Sequence, residues 1–291
     1  MSHRVEVSYP EPITLEPLLR TIAAHAVPGL EACDVAARRH SRVVRGGELV
    51  VTVEWDAPGA LTLSATGHSG PVLVDDALVA LVRRWLDLDR DAGAADAHLR
   101  RSALLAPLVT ARPGLRVLGS TDGFETAVMT VLGQQVSLAA ARTFGGRLVA
   151  GLGSAAPAGL RAFPTAAVLA ATDAEDLRAL VGLTRSRAAT VVTLARAVVD
   201  GAVHLGWDTT GAVDPGDLRA SLIALPGIGP WTADYLALRV LGDRDAYPAD
   251  DLVLKRALGV PTGRAAAALS GDWAPWRACA VTHLWTHAVY G

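Results

Sequence analysis

The chain has 291 residues, of which 51% are hydrophobic and 19% charged, and its formal net charge is −2. This composition excludes a disordered chain, and no apolar run approaches the roughly 18 residues that a membrane helix needs. It also excludes a strongly basic nucleic-acid binder, so any such contact must use a few arginines and backbone amides. The two cysteines, Cys33 and Cys279, cannot form a cysteine-rich metal site. The first residues lack the apolar core of a signal peptide. This feature and the low cysteine count together predict a cytoplasmic protein.

The first hundred residues combine strand and helix signals. Alternation of apolar and polar residues predicts strands, glycines 46 and 47 predict a turn between two of them, and apolar spacing of three and four predicts helices. The predicted strands lie at residues 5–7, 41–45, 48–54 and 61–64, and the predicted helices at residues 15–26 and 74–86. Residues 1–110 are therefore predicted to form an α+β domain with an antiparallel sheet.

Strand signals fade after about residue 100, and residues 111–114 predict a boundary loop. Helix starts follow. Asp122 with Glu125, and Thr172 with Glu175, have the spacing of capping boxes, and Asp214 precedes a proline suited to a first helical position. Residues 111–291 are therefore predicted to form an all-α domain.

A helical hairpin is predicted over about residues 217–241. Leu225-Pro-Gly-Ile-Gly229 is a tight turn between two helical segments. Its glycines permit backbone conformations that side chains forbid, and they leave amides bare at the start of a helix, where a phosphate can bind. On these residues alone, an ordinary helix–helix turn remains an alternative.

Two segments together resemble a known family. Residues 225–233, Leu-Pro-Gly-Ile-Gly-Pro-Trp-Thr-Ala, resemble the hairpin of the helix-hairpin-helix DNA glycosylase superfamily. Residues 247–255, Tyr-Pro-Ala-Asp-Asp-Leu-Val-Leu-Lys, resemble its catalytic-aspartate segment. The resemblance runs from Thr121 to the C-terminus and is greatest to the bacterial DNA-3-methyladenine glycosylase II family, whose α+β domain would match residues 1 to about 110. It implies an α+β N-terminal domain followed by an all-α helix-hairpin-helix glycosylase core.

The same resemblance implies a function and its partners. The protein would flip alkylated purines of the 3-methyladenine type out of damaged double-stranded DNA and remove them by hydrolysis, without a required cofactor. It would be a monomer of the bacterial cytoplasm, associated with the nucleoid and not with a membrane. Two alternatives stay open: a non-catalytic DNA-damage-binding protein of the same fold, and a glycosylase for oxidised or deaminated bases.

The resemblance assigns catalysis to Asp251. Cleavage of a glycosidic bond passes through an oxocarbenium-like sugar, which a nearby carboxylate stabilises. Asp250 would be a structural neighbour: because adjacent aspartates cannot share one role, one should cap the helix that begins near Leu252 while the other faces the cleft. The alternative is that both are capping or solvated aspartates.

Lyase activity is not expected. Family members that also cut the strand carry a lysine two residues after the second hairpin glycine, where this chain has Trp231. Its single lysine, Lys255, lies four residues beyond Asp251. The sequence therefore predicts a monofunctional enzyme that uses water.

Aromatic residues are candidates for the base pocket, because electron-rich rings attract a cationic alkylated purine. Trp231 and Tyr235 share a helix face, and Trp285 resembles a third lining position. Core packing is the alternative for each ring. The chain departs from the family at Thr21 and Thr286, where aromatic rings would be expected, so the lesion it accepts stays open.

The remaining candidates concern DNA and a cation. Residues 132–137 join two helices, with Ser137 as a predicted N-cap, and the resemblance implies that Gln135 fills the gap left by the flipped base. Solvated glutamines in a plain connector are the alternative. The other predicted DNA contacts are Gly227, Gly229 and Thr232. By resemblance alone, the backbone carbonyls of Ile223, Leu225 and Ile228 would hold a structural Na⁺ or K⁺.

Overall fold

A computed structural model describes residues 3–206 and 213–290, with Tyr290 described as backbone only. The N-terminal part contains an antiparallel sheet in the order β1-β5-β4-β3-β2, with β6 also paired to β5. The strands are β1 (Arg4–Ser8), β2 (Glu31–Asp34), β3 (Arg39–Val44), β4 (Leu49–Ala57), β5 (Ala60–Gly67) and β6 (Gly70–Val72). The predicted strands are confirmed, and β2 and β6 were missed.

Helices α1 (Leu15–His25) and α2 (Asp76–Trp85) belong to the N-terminal part. The later helices are α3 (Ala92–Leu99), α4 (Ala106–Ala111), α5 (Gly123–Gly133), α6 (Leu138–Leu152), α7 (Ala166–Ala171), α8 (Ala174–Val181), α9 (Arg185–Val199), α10 (Pro215–Ile223), α11 (Pro230–Leu236), α12 (Leu252–Leu258), α13 (Gly263–Leu269) and α14 (Arg277–Tyr290). A π-helical turn, Ala237–Leu241, continues α11. In the part of the chain that the structure describes, no helix is both long and apolar enough to cross a membrane. The α+β fold followed by a helical core is confirmed.

Both faces of the sheet are buried. Successive strand residues point to opposite faces, so the neighbouring Val50 and Val51 belong to different apolar clusters. Val51 packs with residues of α1 and α2. Val50 packs with Val149 of α6, which belongs to the helical part. The sheet is therefore anchored directly to the helical core.

The helices form two apolar cores that meet at α11. One core gathers residues of α5 to α11, and the other gathers residues of α3, α4 and α12 to α14. Ala233 and Leu236 of α11 face the first core, whereas Ala237 and Leu238 just beyond it face the second. Helix α11 thus lies along the junction. Helices α3 and α4 pack with the C-terminal helices, and the domain boundary at residue 110 stays a prediction.

Helix caps explain several element starts. Asp122 accepts the Glu125 amide at 2.9 Å, and Asp214 accepts the amides of the first turn of α10, as expected. The second capping box was wrong by one residue: Asp173 caps α8, and Thr172 ends α7. A cap needs an extended residue just before the helix, and Asp173 holds that position.

A buried charge network joins β3 to α5. The Arg42 guanidinium donates to the Glu125 carboxylate at 2.5 Å and lies 3.5 Å from Glu31, which is 3.1 Å from Nε2 of His40. The Asp122 amide donates to Ser120 Oγ at 3.1 Å, so Glu125 does not close the predicted capping box. Burial raises the pKa of Glu125 to about 7 against the attraction of Arg42. Burial also opposes ionisation of Glu31, but Arg42 and His40 lower its pKa to about 2. One arginine thus serves two carboxyl groups, of which Glu31 is the more easily ionised.

Candidate active site and nucleic-acid interface

The hairpin turn lies between α10 and α11, as predicted. The Leu225 amide donates to Leu222 O at 3.0 Å, and the Ile228 amide donates to Leu225 O at 3.2 Å. Gly227 adopts φ +85°, a left-handed conformation that favours glycine. The turn is therefore closed by its own backbone.

The two glycines of the turn have different surroundings. A Cβ placed on Gly227 would lie 2.1 Å from Thr190 Oγ1 on α9, so the protein interior requires glycine there. A Cβ on Gly229 would meet no protein atom within 4 Å, and φ at Gly229 is −102°. Nothing in the described fold therefore requires glycine at position 229.

The Asp251 carboxylate is held by three N–H groups. The indole of Trp231 donates to Oδ2 at 3.0 Å, and the indole of Trp285 donates to Oδ1 at 2.9 Å. The Leu254 amide donates to Oδ1 at 2.8 Å. These bonds come from α11, α14 and α12, so three helices fix the orientation of one carboxylate.

The predicted division between the two aspartates is wrong. Asp251 itself is the N-cap of α12, while its carboxylate also meets both indoles. Asp250 has a side chain 67% exposed and lies 3.7 Å from Nζ of Lys255. One carboxylate has lone pairs enough for a cap and two further donors, so capping and facing the site do not exclude each other.

The three predicted aromatic residues form one cluster, in which Trp231 and Trp285 bond to this carboxylate and Tyr235 contacts both indoles. The Trp231 and Tyr235 rings stack with centroids 5.6 Å apart, and the Tyr235 and Trp285 rings are tilted at 5.9 Å. Sequence reasoning missed Arg239, whose guanidinium lies 5.7 Å over the Tyr235 ring. The spacing of Trp231, Tyr235 and Arg239 by four residues was the available signal, because it places all three on one helix face.

The two positions that depart from the family lie together. A cavity of about 40 Å³ is lined by both Thr21 and Thr286, together with Trp285 and Arg239. Thr21 comes from α1 of the N-terminal part, and Thr286 from α14. The wall beside Trp285 is therefore built jointly by the two parts of the chain, and hydroxyl groups stand there in place of rings.

The loop between α5 and α6 presents Gln135 to solvent. Gln135 is exposed and adopts φ +55°, a conformation that side chains rarely take. Ser137 caps α6, as predicted, by accepting the Ala140 amide at 3.2 Å. The preceding Gln134, which sequence reasoning did not single out, bonds to the hairpin turn.

Thr232 faces the protein. It is 2% exposed, and its hydroxyl accepts a hydrogen bond from Gln134 at 3.1 Å. A contact between Thr232 and DNA would therefore need its backbone, and that contact stays a prediction.

The cation prediction also stays open. Ile223 ends α10, and Leu225 O accepts the Ile228 amide and retains a second lone pair, so these carbonyls are compatible with a monovalent ion. Among the residues described, no group of three or more His, Cys, Asp or Glu side chains could hold a metal.

Comparison with known proteins identifies the family. Residues 4–122 match the model of the AlkA N-terminal domain, and residues 128–260 match that of the HhH-GPD superfamily base excision DNA repair proteins. DNA-3-methyladenine glycosylase 2 of Escherichia coli K12 is 33% identical over 277 residues, which are 92% of this chain and 92% of that protein. The chain belongs to the AlkA family of HhH-GPD base excision repair proteins. The resemblance expected from the sequence is confirmed.

Other similar proteins also belong to DNA repair or have the same fold. A Mycobacterium tuberculosis protein described as a probable bifunctional transcriptional activator/DNA repair enzyme AlkA is 38% identical over 94% of this chain. The chain spans 55% of the length of that relative. The 3-methyladenine DNA-glycosylase of Archaeoglobus fulgidus has the same fold, with a TM-score of 0.81, 18% identity, and 98% of this chain and 99% of that one covered.

Proposed function

We propose that this AlkA-family chain removes alkylated purines of the 3-methyladenine type from double-stranded DNA and leaves the strand intact. The observation that carries the proposal is the Asp251 carboxylate held between the indoles of Trp231 and Trp285. A carboxylate oriented by aromatic groups is suited to a cationic base and a cationic sugar at once. The similarity to DNA-3-methyladenine glycosylase 2 supports the same substrate class.

The reaction assigned to this site breaks the C1′–N bond of the damaged nucleotide. The electron pair of the bond moves to the base, which loses its positive charge as it leaves. The oxocarbenium ion at C1′ is stabilised by the Asp251 carboxylate. Water then adds to C1′ and gives its proton to that carboxylate, which leaves an abasic site.

Strand cleavage would need an amine that forms a Schiff base with the sugar. Lys255 is the single lysine of the chain. Its Nζ forms an ion pair with Asp250 at 3.7 Å, and the Asp250 side chain is 67% exposed to solvent. Trp231 stands at the position from which a lysine would act in strand-cutting family members. These residues support hydrolysis by water.

An excision assay tests the proposal. A duplex carrying one methylated purine is incubated with the protein, and breaks are measured before and after hot alkali. We expect breaks only after alkali. Breaks before alkali would contradict the monofunctional assignment, and binding without release of any base across a lesion panel would indicate a damage-binding protein.

A second candidate substrate class is favoured by Arg239. Arg239 lines the cavity beside Trp285, and its guanidinium carries only hydrogen-bond donors, which match the oxygen of an oxidised or deaminated base. The same panel separates the classes, because this candidate requires faster excision of neutral oxopurines than of methylated purines.

We expect the two hairpin glycines to respond differently to alanine. Gly227→Ala adds a Cβ against Thr190 at a left-handed residue and should lower the free energy of unfolding by about 2 kcal/mol. Gly229→Ala should cost under about 1 kcal/mol, because its Cβ meets open space, but should weaken DNA binding if a phosphate approaches there. Urea unfolding and duplex binding measure the two effects. Equal DNA affinity for Gly229→Ala and wild type would contradict the predicted contact.

A further inference from the structure

We propose that Gln134 is a positioning residue that couples the hairpin turn to insertion of Gln135 at the flipped base. The inference rests on the proposed function, because it assumes that Gln135 enters the duplex. It concerns a residue to which neither the sequence nor the comparisons give a role. It is carried by a hydrogen-bond network that joins three separate segments.

The side chain of Gln134 bonds to the hairpin at two points. Its amide nitrogen donates to Gly227 O at 3.1 Å and to Thr232 Oγ1 at 3.1 Å. A primary amide has two N–H groups, so each acceptor receives one. One acceptor lies in the turn and the other in α11, so the side chain spans the junction of turn and helix.

The backbone of Gln134 is held from another side. The Arg187 guanidinium, on α9, donates to Gln134 O. The hydroxyl of Thr190, one turn further along α9, shares its proton between Ser186 O at 3.0 Å and Pro226 O of the hairpin turn at 3.2 Å. The same face of α9 therefore contacts both the turn and the loop, and the three segments form one connected unit.

This connection fixes the residue next to it. Gln135 is left-handed at φ +55°, which is unfavourable for a residue with a side chain unless its neighbours hold it there. Gln134 supplies that constraint, since its backbone and side chain are both bound. The exposed Gln135 side chain is thereby directed outward before DNA arrives, and its position is set by the turn predicted to meet the phosphate.

The coupling predicts a specific defect. Gln134→Ala removes both bonds to the hairpin and leaves Gln135 in place. Losing two such bonds should lower single-turnover excision from duplex by roughly tenfold. The same lesion in a single strand has no paired partner to displace, so its excision should change by less than about twofold.

The experiment measures wild type, Gln134→Ala, Gln134→Glu and Gln135→Ala on both substrates. A 2-aminopurine reporter beside the lesion follows base flipping, and thermal unfolding confirms that each variant is folded. We expect Gln134→Glu to resemble Gln134→Ala, since a carboxylate cannot donate to Gly227 O. Both should reduce the flipping signal in duplex, and so should Gln135→Ala.

Two results would overturn the inference. In the first, Gln134→Ala matches wild type on duplex. In the second, it loses activity equally on duplex and single strand, which would indicate a general structural role. Failure of the proposed function looks different, because wild type itself would then release no base from either substrate.

Discussion

Asp251→Asn is expected to slow base excision by about a thousandfold while the protein stays folded and binds duplex. Asparagine is as good an N-cap as aspartate, so α12 should keep its start. What is lost is one acceptor for the two indoles and the negative charge that the proposed mechanism places beside C1′. Single-turnover excision and duplex affinity, measured together, check the result.

Asp250→Asn is the matched control, because the Asp250 carboxylate is exposed and its ion-pair partner in the described part of the chain is Lys255. We expect excision within about twofold of wild type, as for most surface substitutions. Excision by Asp251→Asn within tenfold of wild type would contradict the assigned role, as would an equal loss in both variants.

Arg42→Met is expected to lower the free energy of unfolding by about 4 kcal/mol. The substitution keeps much of the side-chain volume but leaves the carboxyl groups of Glu31 and Glu125 buried without their shared cation. Urea unfolding at neutral pH measures the loss. The matched control on the same strand is Arg39→Met, whose side chain is 56% exposed and 3.7 Å from Glu54, and which should cost under about 1 kcal/mol. Equal losses of unfolding free energy in the two variants would contradict the idea that burial of the Arg42 ion pairs matters for stability.

The same network predicts a pH dependence. The pKa of Glu125 is about 7 in the folded protein and 4.5 ordinarily, so the folded state binds the proton more tightly. Its contribution to stability is present below pH 4.5 and is lost as the pH rises toward 7. In Glu125→Gln this part of the pH dependence should disappear.

The sequence predicted those parts of the fold that depend on local pattern. Strand β5 alternates over eight residues, β4 is a long run rich in valine, and helix starts carry their own capping side chains. Strands β2 and β6 have only four and three residues, too few for alternation to be distinct. Their pairing partners, not their own residues, define them.

Contacts between residues distant in sequence limit how much of the site can be predicted from the sequence. The aromatic rings and Asp251 could be named from motifs, because each motif is contiguous. Gln134 bonds to residues more than ninety positions away, and Arg42 reaches Glu125 across eighty-three, so neither link is visible in sequence spacing. That Asp251 both caps α12 and accepts from two indoles was missed for a different reason, since the two tasks were expected to fall to different aspartates.

The two glycines of the hairpin are constrained by different things, Gly227 by the protein interior and Gly229 mainly by what lies outside it. Gly227 is required by Thr190 inside the protein and would persist in a descendant that no longer met DNA. Gly229 faces open space and its replacement should cost the fold little, so the main selection against a side chain there would come from outside the protein. Loss of the second glycine with retention of the first would therefore mark a relative that kept this architecture after giving up its nucleic-acid partner.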